Sequence, residues 1–225
     1  MTESTFVTRS VMLTDAAREG MTDLIDSGPD VPAYVVPQAV MDSITGFHIH
    51  RGCLAIGEYP RPRPWEDIAA GARMVLVLER IANPDNVGGI FRCAAAFGAD
   101  AVLLDPATTD PLYRKAIRTS MGAALVVPFA RIQEWPTALN ELRARGFAVA
   151  AMTPDPSAPA LSAIARGVAN RPVALVLGHE GDGLSGPALA ACEFHARIPM
   201  TSSVDSLNVA TTAAIALYDL RGSRT

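Results

Sequence analysis

The chain has 225 residues, 49% hydrophobic and 19% charged, with a formal net charge of −4. That composition supports one well-buried core plus a small second module; it excludes a disordered chain and leaves no global basic footprint for nucleic acid, so any phosphate contacts must come from local patches. No apolar run approaches the ~20 residues of a membrane span, and the N-terminus lacks the charged-then-apolar pattern of a signal peptide, so a cytoplasmic location away from membranes is expected.

Residues 1–57 alternate quickly. Arg9–Leu13 reads as a strand, Ala16–Ser27 as a helix closed by Gly28, Pro32–Val36 as a strand, Gln38–Ile44 as a short helix and Cys53–Ile56 as a third strand. This is a small α/β unit, thin for a domain, whose core is expected to be shared or incomplete. Residues 58–72, with Tyr59-Pro-Arg-Pro-Arg-Pro-Trp65, read as a stiff linker, because proline fixes its own backbone and extends the residue before it.

From Arg73 to residue 225 the pattern is strand–helix–strand. Met74–Leu78 is a buried strand, and Asn83-Pro-Asp-Asn-Val-Gly-Gly-Ile-Phe-Arg92 opens a helix that Gly98 stops. Ala101–Leu104 is the next strand, and Leu112–Met121 a helix carrying Arg114, Lys115 and Arg118. Val126–Phe129 is a strand whose proline points to an edge or an end. Trp135–Arg145 is a helix and Phe147–Met152 a strand ending at Thr153. Val173–Leu177, too short and too strand-prone for a helix, is followed by Gly178-His-Glu-Gly-Asp-Gly-Leu-Ser185 and a short helix. Phe194–Ile198 is the last strand, Pro199–Asp205 a loop, and Ser206–Leu220 the last helix. Near-continuous apolar strands alternating with helices call for a mostly parallel sheet covered on both faces, with a ligand pocket where two late loops leave the strand ends.

Several constellations carry alternatives. Gly181-x-Gly183-x-x-Gly186 fits a dinucleotide fingerprint, but too little chain follows for a mononucleotide fold, and no clear strand-end acid follows at ~20 residues. A tight turn without ligand, or a different ligand against backbone amides, remain. His48-x-His50 has no third partner for a metal. His179 and His195 read as structural residues beside the pocket. Cys53, Cys93 and Cys192 are odd in number and far apart, which argues against a disulfide framework and a structural zinc. No metal is expected. Arg92 stands on a helix of small and apolar neighbours, behind Asn83, Asn86 and two glycines, Gly88 and Gly89, that let a backbone or a ligand approach. Ser206 at the start of Ser206-Leu-Asn208 is expected to cap the last helix, alongside any ligand role.

Taken together, these segments resemble the SpoU-type RNA ribose 2′-O-methyltransferases of the SPOUT superfamily, over about residues 73–220. The resemblance rests on Asn83–Arg92, Leu177–Ser185, and Ile198-Pro-Met together with Ser206–Val209, with Arg118-Thr-Ser-Met-Gly122 between them. It implies an α/β fold with a C-terminal trefoil knot, S-adenosylmethionine bound between the knot loops, and a homodimer with its active site at the interface. By motif position, Gly178, Ile198 and Leu207 hold the cofactor through backbone groups, and Gly181, Met200 and Glu180 line its pocket; Thr153, at the end of a preceding strand, is a further candidate. Arg92 takes the catalytic position, with Asn86, Glu180, Ser206 and Asn208 beside it. The implied partner is RNA, ribosomal or transfer, and Arg114, Lys115 and Arg118 are candidate contacts to it. Ser202 departs from the glycine common in the third motif. Residues 1–57 resemble a ribosomal-protein-like RNA-binding domain, short at its start and expected to be incomplete. The alternatives are a base-methylating enzyme of the same superfamily and a non-catalytic RNA-binding or ribosome-assembly factor on the same fold.

Overall fold

The computed structural model describes residues 6–26, 30–59, 61–201 and 206–222. By compactness the chain divides into a unit spanning Ser4–Arg61 and a larger one that takes over at Pro62. In the smaller unit, β1 (Thr8–Leu13) pairs in parallel with β2 (Ala33–Val35) and antiparallel with β3 (Cys53–Gly57), giving the order β2-β1-β3. The single helix expected after β1 is two short ones, α1 (Asp15–Glu19) and α2 (Thr22–Asp26), separated at Gly20, a poor helix former. Ser27 and Gly28 lie outside the described residues. Helix α3 (Gln38–Thr45) ends at Gly46, whose φ of 75° is left-handed. Leu13, Met41 and Ile49 are the buried hydrophobic side chains described in this unit.

The larger unit opens with a helix where a linker was expected. Helix α4 (Trp65–Ala69) starts directly after Pro64, and its Trp65 and Ala69, four residues apart, are both buried. Burial of that face outweighs the proline-rich approach. Strands β4 (Met74–Leu78), β5 (Ala101–Leu104), β6 (Phe129–Arg131), β7 (Ala148–Met152), β8 (Val173–Leu177) and β9 (Phe194–Ala196) form one sheet, all pairs parallel, in the order β6-β5-β4-β8-β7-β9. Every residue of β4, β5, β7 and β8 is buried, because alternate side chains feed two separate cores. Met74, Leu76 and Leu78 pack with α5 (Pro84–Phe97), α8 (Leu161–Gly167) and α10 (Val209–Gly222), while Val75 and Val77 pack with α4, α7 (Thr137–Ala144) and α9 (Gly186–Ala191). Strand β6 is the edge its proline suggested, but it begins after Pro128, whose carbonyl accepts the Val102 N–H. The preceding Ala123–Leu125 is a 3₁₀ turn. Helix α8 fills a stretch for which the sequence suggested no element; Leu161 and Ala165 anchor it to the core.

Candidate active site

The carboxyl ends of β4, β7, β8 and β9 lie on one side of the sheet, where ligands of open α/β folds bind. After β4 the chain turns into α5. Asn83 caps that helix, its Oδ1 accepting the Asp85 N–H at 2.9 Å, and Pro84 occupies the first helical position, where a missing N–H does no harm. The two glycines that follow admit neighbouring helices, not ligand. A Cβ on Gly88 would lie 2.6 Å from the Ala116 carbonyl oxygen in α6 (Arg114–Thr119), and one on Gly89 2.8 Å from the Ala210 Cβ in α10. Close packing on both flanks therefore sets α5 beside the last helix.

That contact brings distant segments together. Helix α10 begins at Val209 rather than Ser206, and its cap is Asn208. Asn208 Oδ1 accepts the N–H groups of Ala210 and Thr211 at 2.9 and 3.3 Å, and its Nδ2 donates to Asn86 Oδ1 at 2.9 Å. Asparagine caps as well as serine, and only the amide has a second arm with which to satisfy the buried Asn86. Ser202 lies outside the described residues.

The loop after β8 closes on itself. Gly183, at φ 68°, donates its N–H to the His179 carbonyl at 2.9 Å. His179 Nδ1 accepts the N–H groups of Gly181 and Asp182 at 3.0 and 3.3 Å, which puts the imidazole proton on Nε2. A Cβ on Gly178 would lie 2.5 Å from both Gly183 C and Leu184 N, so only glycine lets the two limbs meet. Glu79, which the sequence reading passed over, fixes the far limb. Its carboxylate, 2% exposed, accepts the Ser185 N–H at 2.8 Å, the Ser185 hydroxyl at 2.6 Å and the Trp135 indole N–H at 2.7 Å. Its one available signal was an acid directly after an unbroken apolar strand. Burial, with the Glu79 charge second, pushes the Cys192 thiol up to about 12, which leaves it unreactive. All three cysteines are free.

Between these loops lies a cavity of about 320 Å³, within the size range of small-molecule sites. Thr153, Gly178, Gly181, Ile198, Met200 and Leu207 all line it, as do Glu180 and Ser206; Leu177, Leu184 and Leu189 supply apolar wall. Thr153 Oγ1 accepts the Asp155 N–H at 3.2 Å, which leaves its own hydroxyl proton available. Asn86 and Asn208 are not among the lining residues, although Leu207 and Val209 on either side of Asn208 are. Arg92 is not part of it: the side chain is exposed on α5 and makes no hydrogen bond or ion pair among the described residues.

Arg114, Lys115 and Arg118 are exposed on α6, with Arg114 and Arg118 one turn apart. Lys115 is engaged inside the protein, its Nζ 2.7 Å from Asp85 Oδ2, and this contact holds the Asp85 carboxyl below the usual carboxylate range. His48 and His50 meet edge to face at 4.7 Å, and His48 pairs with Asp42 at 2.9 Å. His195 Nε2 contacts the Leu189 carbonyl at 3.0 Å. Among the described residues no helix is long and apolar enough to cross a membrane, and no group of three His, Cys, Asp or Glu side chains is placed to hold a metal ion.

Comparison with known proteins follows the same geometry. The chain is 45% identical over 194 residues to a protein named as an uncharacterized tRNA/rRNA methyltransferase of Mycobacterium tuberculosis, covering 86% of this chain and 67% of that one. The crystal structure of an AdoMet-bound rRNA methyltransferase from Sinorhizobium meliloti superposes with a TM-score of 0.81 at 27% identity, over 97% of this chain and 81% of that one. The SpoU methyltransferase AviRb of Streptomyces viridochromogenes, in complex with AdoMet, shares the fold with a TM-score of 0.84 at 20% identity, over 98% and 84% of the two chains. Residues 73–218 match the SpoU rRNA Methylase family, which covers the whole six-stranded sheet and most of α10, and the chain belongs to that family.

Proposed function

We propose that the protein transfers the methyl group of S-adenosylmethionine to a ribose 2′-hydroxyl of ribosomal or transfer RNA. The observation that carries this reading is the convergence of three separate motifs on one side of the sheet: two of them line the cavity, and the first reaches it through the Asn86–Asn208 bond. The cavity suits the cofactor in size and chemistry. Its lining combines the apolar side chains of Leu177, Leu184 and Leu189, against which an adenine ring would stack, with a glycine-rich loop that admits close approach and with Glu180, whose carboxylate would suit a sulfonium.

S-adenosylmethionine, when bound, supplies an electrophilic methyl group. Gly178, Ile198 and Leu207 hold it through their backbone groups, with Glu180, Gly181, Met200 and Thr153 around it. A guanidinium keeps its protons at neutral pH, so Arg92 serves as an electrostatic clamp and not as a base. It grips the phosphate next to the target ribose and stabilises the developing alkoxide; that phosphate helps the hydroxyl proton on its way to solvent, and methyl transfer leaves a neutral thioether. Asn86, Ser206 and Asn208 orient the ribose.

The active unit in this reading is the homodimer that the family resemblance implies, with Arg92 of one protomer facing the cavity of its partner; the place of Arg92 outside the cavity of its own chain supports it. The exposed Tyr113, Met121 and Tyr218 support an apolar contact of this kind. A trefoil knot formed by the C-terminal segment draws the late loops together. Arg114, Lys115 and Arg118 contact RNA phosphates, and the unit formed by residues 1–57 adds substrate contacts ahead of the catalytic residues 73–225.

Transfer of a labelled methyl group to total RNA, followed by nuclease mapping, tests the reading. A 2′-O-methyl blocks cleavage at its own bond, whereas a methylated base leaves the bond cleavable and would shift the assignment to base methylation. RNA binding with no transfer would identify an assembly factor. Arg92→Ala should lower turnover by at least ~100-fold while leaving cofactor affinity within about twofold; near-normal turnover would refute the role of Arg92.

A further inference from the structure

We infer that Arg80 is a positioning residue for the cofactor loop, a guanidinium clamp that holds the Gly178–Leu184 wall in its closed form. The inference rests on the methyltransferase reading. Arg80 is the second residue after β4 and has a φ of 55°, a left-handed conformation that a non-glycine residue adopts only when its surroundings enforce it. A backbone contact to an anchored carboxylate enforces it here. The Arg80 N–H donates to Asp105 Oδ1 at 3.0 Å, and Asp105, only 3% exposed, is itself fixed by the backbone N–H and hydroxyl of Thr108 at 2.7 and 2.6 Å.

The turn sends the side chain across to the loop after β8. There one terminal nitrogen donates to the Gly183 carbonyl at 3.2 Å, and the other lies 3.6 Å from the Asp182 carboxylate. Arg80 does not line the cavity; it grips Asp182 and Gly183, which do. Its Nε is buried and has no hydrogen-bond partner among the described residues. Together with Glu79, which holds Ser185, the two residues after β4 fasten both the tip and the far limb of the loop. A loop that is already closed loses less freedom when ligand enters, so the clamp favours binding without touching the ligand.

The test uses the whole chain with Arg80→Gly, which accepts the left-handed backbone, and Arg80→Lys, which keeps one donor. Without cofactor, hydrogen exchange at the Gly183 amide should quicken by about tenfold in Arg80→Gly, while the melting temperature holds or rises, because glycine relieves the strained φ. Titration calorimetry with S-adenosylmethionine should show about three- to tenfold weaker binding, partly restored in Arg80→Lys. In turnover assays the cofactor KM should rise by the same factor, with kcat and the RNA KM unchanged. A purely structural role predicts instead a lower melting temperature and no rescue by lysine. Unchanged exchange, or faster exchange with wild-type cofactor affinity, would overturn the clamp while the proposed function stood. A wild-type protein that bound no S-adenosylmethionine would overturn both.

Discussion

The two sheets of this protein are assembled from similar short strands and helices, yet they bury them to opposite degrees. All three residues of β2 are exposed, and β3 is exposed over its last three. All five residues of β8 are buried, and so are all five of β4 beside it. Tyr34, Ile44, Ile56 and Tyr59 in the smaller unit are more than half exposed. A parallel strand covered on both faces cannot shift without disturbing two cores, so the loops leaving β4 and β8 are held where fine geometry is needed. A strand with open faces gives its loops no such reference. The candidate site accordingly belongs to the larger sheet, whose rigidity can serve a reaction that depends on alignment.

Substitutions can break or sharpen that contrast. The largest stability effect is expected at Phe91, fully buried and edge to face with Phe129 at 5.8 Å. Phe91→Ala should cost about 3–5 kcal/mol in denaturant unfolding. Ile56→Ala in the open sheet should stay within about 0.5 kcal/mol, and comparable losses at the two positions would erase the distinction. Next comes Gly178→Val, whose side chain would meet backbone 2.5 Å away instead of a yielding side-chain tip. A cost of ~1–3 kcal/mol follows from overpacking, with cofactor binding lost because the loop must open. Calorimetry that found wild-type affinity would contradict the closed loop.

Asn208→Ala should remove about 1 kcal/mol of capping and leave Asn86 Oδ1 unsatisfied in addition. Asn208→Ser keeps a cap and loses only the link to Asn86. Equal melting temperatures for the two variants would mean that the cap contributes nothing, and a serine variant as stable as wild type would mean that the link contributes nothing. The smallest effect concerns α6. The Lys115 contact lowers the Asp85 carboxyl, so its contribution is present above the unfolded value of about 3.9 and is lost as pH falls through the lower folded value. Lys115→Met should therefore be slightly less stable than wild type at neutral pH and indistinguishable from it in strong acid. A difference that grew on acidification would reverse the assignment.

Much of this organisation was legible before any coordinates. The strands of the larger sheet are short apolar runs, and most of their bounds fall within one or two residues of the pattern. Gly98 ends its helix as the sequence suggested. Five residues chosen by motif position as cofactor candidates, and Thr153, chosen for its place at a strand end, line one cavity. The failures have a common origin. Helix α4 was hidden behind prolines because its stability comes from the burial of Trp65 and Ala69 and not from local propensity. Ser206 looked like the cap because it stands first, while Asn208 takes the position because it can also reach Asn86. The glycines at 88 and 89 left ligand and backbone equally open, and only the packing of α6 and α10 chose between them.

The sequence by itself determined what depends on near neighbours: the strand–helix alternation, the glycine stops, the capping asparagine at position 83 and the three motifs that mark the family. Tertiary structure alone decided the links that cross the fold, from Glu79 to Ser185, 106 positions on, and from Asn86 to Asn208, 122 positions on. The physical reason is the order of the sheet. Inserting β8 between β4 and β7 sets the ends of distant segments side by side, and no local pattern of side chains encodes which strand ends will become neighbours.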